Sequence, residues 1–408
     1  MTNIVKNMIL FEQTSEAVSI GHPDKVADSI ADAVLDYLRT LLPDAHSAVE
    51  VACAADKLFI FGEVDSRLVY DKEEFYKSVE HIAWKRLDYI GYKRDEYSPK
   101  IVVDIVKQSS EIDNAVSEND IKKEIGAGDQ GIMFGYAVVE TPECHSLHFV
   151  LAHLLQVELE KARFGADSFL AKVLRPDAKT QVTVQYQYTE EGINQPAKIT
   201  DVVLSTQHIE DVDFNELQGY LKHFCEDAIN HYLEKNKFTF RVDDKTVFHI
   251  NPAGPWNVGG PVSDSGLTGR KLVVDNYGGN APIGGGSYSG KDLTKVDRSA
   301  AYFARYVAKS IVKSDLAEKV QVSLAYAIGE ALPTMINIDT YGTEKIPNQE
   351  LKELVLNNFD FSVKSLIELS SNVDNFVSTG EHSHYMSFSQ DADDVFPWEK
   401  IFLISNCE

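Results

Sequence analysis

Cysteine is scarce in this 408-residue chain: Cys53, Cys144, Cys225 and Cys407 are four in all, far apart and with no CxxC among them. That excludes a disulfide framework and a cysteine zinc site, and it fits reduced thiols in a cytoplasmic protein. Long apolar runs are missing too. None approaches the ~20 residues a membrane-spanning helix needs. The opening MTNIVKNMILFEQ has one lysine, a short apolar patch and no small-residue cleavage site, so no secretory signal is expected. Positive charge is in short supply, with 39 Lys and Arg against 63 Asp and Glu and a formal net charge of −24. Nucleic acid and anionic membrane surfaces both call for a basic face, so neither is an expected partner. Familiar catalytic signatures are also absent. There is no G-x-S-x-G elbow and no HExxH, and Gly286-Ser-Tyr-Ser-Gly-Lys291 is one residue short of a Walker A loop, with Asp292 where the hydroxyl should stand.

What is present reads as a soluble globular protein, 44% hydrophobic and 25% charged, too long for a single core. One order of elements recurs three times: helix, long hairpin, helix. In the first unit Val26, Ile30, Val34, Leu38 and Leu41 keep helical spacing after Pro23. Ser47–Ser66 reads as two strands turning near Ala55-Asp56-Lys57. Tyr70–Ile90 is a helix opened by Asp71 with Glu74 three residues on. Lys100–Val106 is a short apolar strand. Gln108–Lys123 is polar and without period, a lid or a linker. The second unit has a helix at His145–Arg163, strands at Gln181–Tyr188 and Ile199–Leu204, a helix at Asp213–Lys235 and a strand at Thr246–Asn251. The third has a helix at Asp297–Val312, strands at Val320–Tyr326 and Met335–Thr340, and one helix over Pro347–Leu369. The expected fold class is α+β, with three domains related by pseudo-three-fold symmetry. Each lays helices on one face of a mainly antiparallel or mixed sheet. The expected boundaries are 11–109, a lid at 108–123, 124–246 and 247–401.

The stretch 259–295 stands out. It holds ten of the 24 glycines, together with Arg270, Lys271, Lys291 and Lys295. Glycine lets backbone N–H groups approach a ligand, and cations confined to such a loop in an acidic protein point to an anion, here a polyphosphate. Asp24 and Asp297 stand at helix starts. There a capping role competes with a second one, holding Mg²⁺ by one or two carboxylates while phosphates complete the shell.

GHPDK (21–25), GAGDQGIMFGYA (126–137), RPDAKTQVT (175–183), STQH (205–208), GGPVSDSGLTGRK (259–271), GGGSYSGKD (284–292) and KVDRSAAY (295–302) together resemble S-adenosylmethionine synthetase, in order and spacing, over nearly the whole chain. The resemblance implies attack of the methionine sulfur on C5′ of ATP, with the released triphosphate cut to phosphate and pyrophosphate. It implies that His22 contacts the leaving oxygen or phosphates and that Asp24 and Asp297 hold Mg²⁺, two ions in all. Lys179, Arg270, Lys271, Lys291 and Lys295 would hold the polyphosphate, and Ser287 would lie at the nucleotide. Glu63, Gln108 and Asp264 would position methionine, with Lys295 nearby. Asp129 and Asp177 would serve the methionine or nucleoside end, and Trp256, where the family usually has Phe, would stack on adenine. A homodimer or dimer of dimers, with the site between subunits, is also implied. Four positions depart from the family pattern: Ile20 for Glu, Ala54 for a K⁺-ligating Glu, Pro255 for a phosphate-binding Arg and Ile283 for His. Ala54 makes K⁺ dependence unexpected. Two functions remain open at this stage. One is an active, divergent methionine adenosyltransferase. The other is a non-catalytic or altered-specificity paralogue that binds nucleotide as a regulatory subunit.

Overall fold

The computed structural model describes residues 10–109, 124–165, 168–188, 194–386 and 396–405. Most of the expected lid at 108–123 lies outside the described residues. In chain order the elements are β1 (Leu10–Val18), α1 (Pro23–Leu41), β2 (Ser47–Ala54), β3 (Lys57–Val64), α2 (Lys72–Ile90), β4 (Lys100–Lys107) and β5 (Gly131–Val138). Next come α3 (Leu147–Phe164), α4 (Phe169–Val173), β6 (Leu174–Tyr188), β7 (Asn194–His208), α5 (Phe214–Lys235), β8 (Val247–Ile250) and β9 (Gly266–Leu267). The last are α6 (Leu272–Asp275), α7 (Val296–Lys313), β10 (Lys319–Tyr326), β11 (Met335–Asp339), α8 (Asn348–Asn358), α9 (Val363–Ser370) and α10 (Val377–Gly380).

The fold is α+β with three sheets, as the repeated element order predicts. Their strand orders are β4-β3-β2-β9, β1-β6-β7-β8 and β11-β10-β5. Pairing is antiparallel except at β3–β4 and β7–β8. Each hairpin sheet takes one strand from another part of the chain. β1 joins the second sheet through β6, β5 joins the third through β10, and β9 joins the first through β2. The three units are thereby laced together in a ring. Each sheet has its own apolar core, with α1 and α2 packed on the first, α3 and α5 on the second, and α7, α8 and α9 on the third. Among the described residues no helix is long and apolar enough to cross a membrane. The three described cysteines Cys53, Cys144 and Cys225 are free and buried.

Local sequence accounts for several boundaries. Asp71 caps α2 by accepting the Glu74 N–H at 3.0 Å. The β2–β3 hairpin closes through Ala55-Asp56, with Ala55 at φ 48° and Ala54 paired to Lys57. Two expectations need correction. The single helix over Pro347–Leu369 is two, α8 and α9. Asp360 accepts the Ser362 N–H and hydroxyl, and Ser362 caps α9, so the local side-chain bonds restart the helix. Strands β1, β5 and β9 have no counterpart in the sequence reading. All three pair outside their own unit, so no neighbouring partner strand flagged them.

Candidate active site

The N-terminus of α1 organises one group of candidate residues. Gly21 fits against the backbone of Pro176, where an added Cβ would lie 2.3 Å from the Pro176 carbonyl oxygen. His22 caps the helix: its Nδ1 accepts the Asp24 N–H at 3.1 Å. Burial, then the charges of Lys271 and Lys179, pushes the imidazole pKa down to about 3. The ring is therefore neutral, with the lone pair on Nδ1 and the proton on Nε2, a donor available to a ligand oxygen. Asp24 is 1% exposed. Its Oδ1 accepts the Leu267 N–H at 3.0 Å, and its Oδ2 lies 2.6 Å from Lys271 Nζ. Arg270 reaches the same carboxylate at 3.6 Å. Asp177 accepts the Gly260 N–H at 2.7 Å, while its buried Oδ1 has no partner. Burial raises the Asp177 pKa to about 6, and the charges of Lys179, Asp264 and Asp24 act on it. Lys179 itself is exposed on β6. Asp264 caps its own loop by accepting the Ser265 N–H. Trp256 is pinned by backbone bonds to His208, and its indole N–H donates to the Val258 carbonyl, leaving the ring half-buried.

A second group gathers where the glycine-rich loop meets α7. Lys291 Nζ lies 2.8 Å from Asp297 Oδ2 at the start of that helix. A Cβ on Gly286 would sit 2.1 Å from the Asp297 carboxyl carbon, so glycine there lets the loop pass over the carboxylate. Lys295 caps α7 and lies 4.0 Å from Asp292. The Gly128 N–H donates to the Thr294 carbonyl, which brings the exposed Asp129 beside Lys295. Glu63 pairs in β3 with Ala48, and Ala48 bridges to Lys291. Gln108 is buried, its N–H bonded to the Val64 carbonyl and its Oε1 unpartnered. Ser287 packs against Gly269 of the first group and lies beside Glu50. Among the described residues no hydrogen bond or ion pair joins the candidate residues of one group to those of the other.

Sequence reasoning missed several participants. Glu50 in β2 faces Lys291 and Ser287, and burial raises its pKa. Lys25 is buried between Asp275 at 2.7 Å and Asp28 at 3.5 Å. Asp292 accepts N–H bonds from Ser47 and Thr294. The spacing of GHPDK was a signal for Lys25. Glu50 carried none, being one polar residue in an alternating strand.

Three family models of S-adenosylmethionine synthetase match consecutive parts of the chain: the N-terminal domain at residues 10–113, the central domain at 124–256 and the C-terminal domain at 258–400. The chain belongs to the S-adenosylmethionine synthetase family. An S-adenosylmethionine synthase from Oenococcus oeni is 42% identical over 395 residues, which is 95% of this chain and 96% of that protein. Within the synthetase family pattern, the four departures have definite places here. Ile20 is 2% exposed and belongs to the first core. Ala54 ends β2 at the exposed hairpin tip. Pro255 is exposed beside Trp256, and Ile283 is exposed at the entry to the Gly284–Gly286 turn.

Proposed function

We infer that the protein is a methionine adenosyltransferase. The observation that carries this reading is the joint retention of a neutral buried His22, two helix-start carboxylates and the lysines and arginine around them, in a chain similar throughout to a named S-adenosylmethionine synthase. The substrates are ATP and L-methionine. The non-catalytic alternative is not favoured, because the chain is 42% identical over 95% of its length to a named S-adenosylmethionine synthase and keeps Lys179, Arg270, Lys271, Lys291 and Lys295, although the family's Arg at 255 is proline.

A thioether sulfur is a neutral nucleophile and has no proton to lose, so the reaction needs no general base. The demand is on the leaving group, a triphosphate that gains charge as the C5′–O bond breaks. Lys179, Arg270, Lys271, Lys291 and Lys295 meet that charge with fixed cations, and His22 offers its Nε2 proton to a leaving or phosphate oxygen. Glu63, Gln108, Asp129 and Asp264 orient methionine. Asp177, Trp256 and Ser287 serve the nucleotide.

Among the described residues there is no cluster of three or more His, Cys, Asp or Glu that could hold a metal alone. Single carboxylates backed by lysines suit Mg²⁺, which leaves most of its octahedral positions to water and phosphate. Asp24 and Asp297 would hold the two ions. When bound, they would neutralise charge on the polyphosphate. Ala54, at the exposed hairpin tip, offers no carboxylate to K⁺; the β2 carboxylate beside Lys291 and Ser287 is that of Glu50.

The division into two groups supports a site completed between subunits of a homodimer. So does the outer face of the first sheet, where Phe59, Phe61, Val106 and Leu267 are 40%, 38%, 53% and 37% exposed on the side that carries Glu63. The test is incubation with ATP, methionine and Mg²⁺, with S-adenosylmethionine read by mass spectrometry. Nucleotide binding without product would reject the catalytic reading.

A further inference from the structure

Helix α1 carries an aspartate at every fourth position: Asp24, Asp28, Asp32 and Asp36. That spacing puts all four on one face, about a turn apart. Each accepts backbone N–H groups from a segment far along the chain. Asp24 takes Leu267 at 3.0 Å, Asp28 takes Gly269 at 2.9 Å and Asp32 takes Gly290 at 2.9 Å. Asp36 takes Phe376 and Val377. Asp28 and Asp32 are 3% and 1% exposed.

The amides held by Asp28 and Asp32 are chosen by position. Gly269 immediately precedes Arg270 and Lys271, and Gly290 immediately precedes Lys291. Both glycines are in the left-handed region, at φ 74° and φ 80°. A Cβ on Gly269 would meet Ser287 Cβ at 2.4 Å, and one on Gly290 would meet the Val49 carbonyl oxygen at 2.0 Å. The turns are therefore packed tightly and held from below by a buried carboxylate. Buried cations brace the same contacts. Arg298 Nη1 lies 2.8 Å from Asp32 and donates to the Lys291 carbonyl at 3.2 Å. Lys25 ties Asp28 to Asp275 at the end of α6, the helix that follows Lys271. A side-chain oxygen fixed on a helix gives each amide a defined acceptor, and low-dielectric surroundings strengthen that hydrogen bond.

We propose that Asp28 and Asp32 are positioning residues: from successive turns of α1 they fix the two cation-bearing turns, and so set where Arg270, Lys271 and Lys291 meet the polyphosphate. This rests on the polyphosphate reading above. Neither aspartate touches the substrate in this scheme; both act through backbone amides.

The test uses the full chain, with wild type, Asp28→Ala, Asp28→Asn and Asp28→Glu. A wild type that makes no S-adenosylmethionine fails the catalytic reading itself, separately from this proposal. With an active wild type, Asp28→Ala should lower kcat about 100-fold, while the methionine KM stays within about twofold. Asp28→Asn keeps an oxygen acceptor for the Gly269 N–H and should recover most of the rate. The same order should appear for cleavage of inorganic tripolyphosphate supplied without methionine. Wild-type kcat in Asp28→Ala would overturn the proposal. So would an Asn variant as slow as Ala, since that result assigns the role to the charge beside Lys25. If Asp28→Ala does not fold, Asn against Glu decides. Glu keeps the charge but displaces Gly269 by a methylene, so it should be the slower; equal rates would overturn the proposal.

Discussion

Lys271 Nζ lies 2.6 Å from Asp24 Oδ2, so the carboxylate proposed for metal and a cation proposed for polyphosphate are held against each other. Lys271→Met removes one charge-assisted contact to phosphate, which costs about 1.5–3 kcal/mol. The expected result is a kcat lower by roughly 10- to 150-fold, since about 1.4 kcal/mol is a factor of ten. Asp24→Asn should raise the Mg²⁺ concentration needed for half-maximal rate. Steady-state rates across a Mg²⁺ titration check both. An unchanged Mg²⁺ requirement in Asp24→Asn would remove Asp24 from the metal site.

Lys291 and Asp297 give a second test of the same chemistry. Lys291→Ala should abolish turnover while leaving the circular dichroism spectrum and Tm close to wild type. Gly286→Ala should act on its neighbour, because the new Cβ would sit 2.1 Å from the Asp297 carboxyl carbon. Gly286 is not at positive φ, so its backbone tolerates alanine and the damage falls on the carboxylate. A Gly286→Ala enzyme with wild-type kcat and Mg²⁺ dependence would show that Asp297 can be displaced without consequence.

Ala54 closes β2 at an exposed two-residue turn, with no carboxylate to offer a monovalent cation. Rates measured in K⁺ and in Na⁺ buffers at equal ionic strength should agree within about twofold. Strong stimulation by K⁺ would place a ligand elsewhere in the chain.

Glu140 bears on stability instead of turnover. It is half-buried, and desolvation of its carboxyl pushes the pKa up to about 7 from 4.5. Both of its hydrogen bonds, from the Leu147 N–H and the Tyr186 hydroxyl, go to Oε2. Those bonds favour the ionised form, but burial outweighs them, so the folded state favours the protonated acid. That preference is fully expressed below the unfolded pKa and is lost as pH rises through about 7. Glu140→Gln imitates the protonated form, with an amide oxygen for both donors. It should be close to neutral at pH 4.5 and stabilising at pH 8.5, by roughly 2–3 kcal/mol. Urea unfolding at the two values measures the difference. An equal effect at both pH values would show that the carboxyl is ionised throughout.

Much of this protein was legible in one dimension. The three-fold order of helix, hairpin and helix is a property of local periodicity, since α1, α2, α5 and α7 each carry their own apolar stripe and turn chemistry. The motif set around His22, Asp24, Lys271, Lys291 and Asp297 was legible because glycines and cations stand out in an acidic chain. The break between α8 and α9 was hidden, because it depends on which hydrogen bonds Asp360 and Ser362 make and not on hydropathy.

The sequence by itself determined the element types, the repeat and the residue chemistry, because propensity, spacing and charge act over a few residues. Only the tertiary structure decided the lacing of the sheets, since β1, β5 and β9 gain their partners from segments more than a hundred residues away. It also decided that one face of α1 reaches strand β9 and two turns of the glycine-rich region. Helical spacing aligns Asp24, Asp28 and Asp32, but which backbone amides meet them is settled by the packing of β9 on β2 and of the Gly290 turn on Val49.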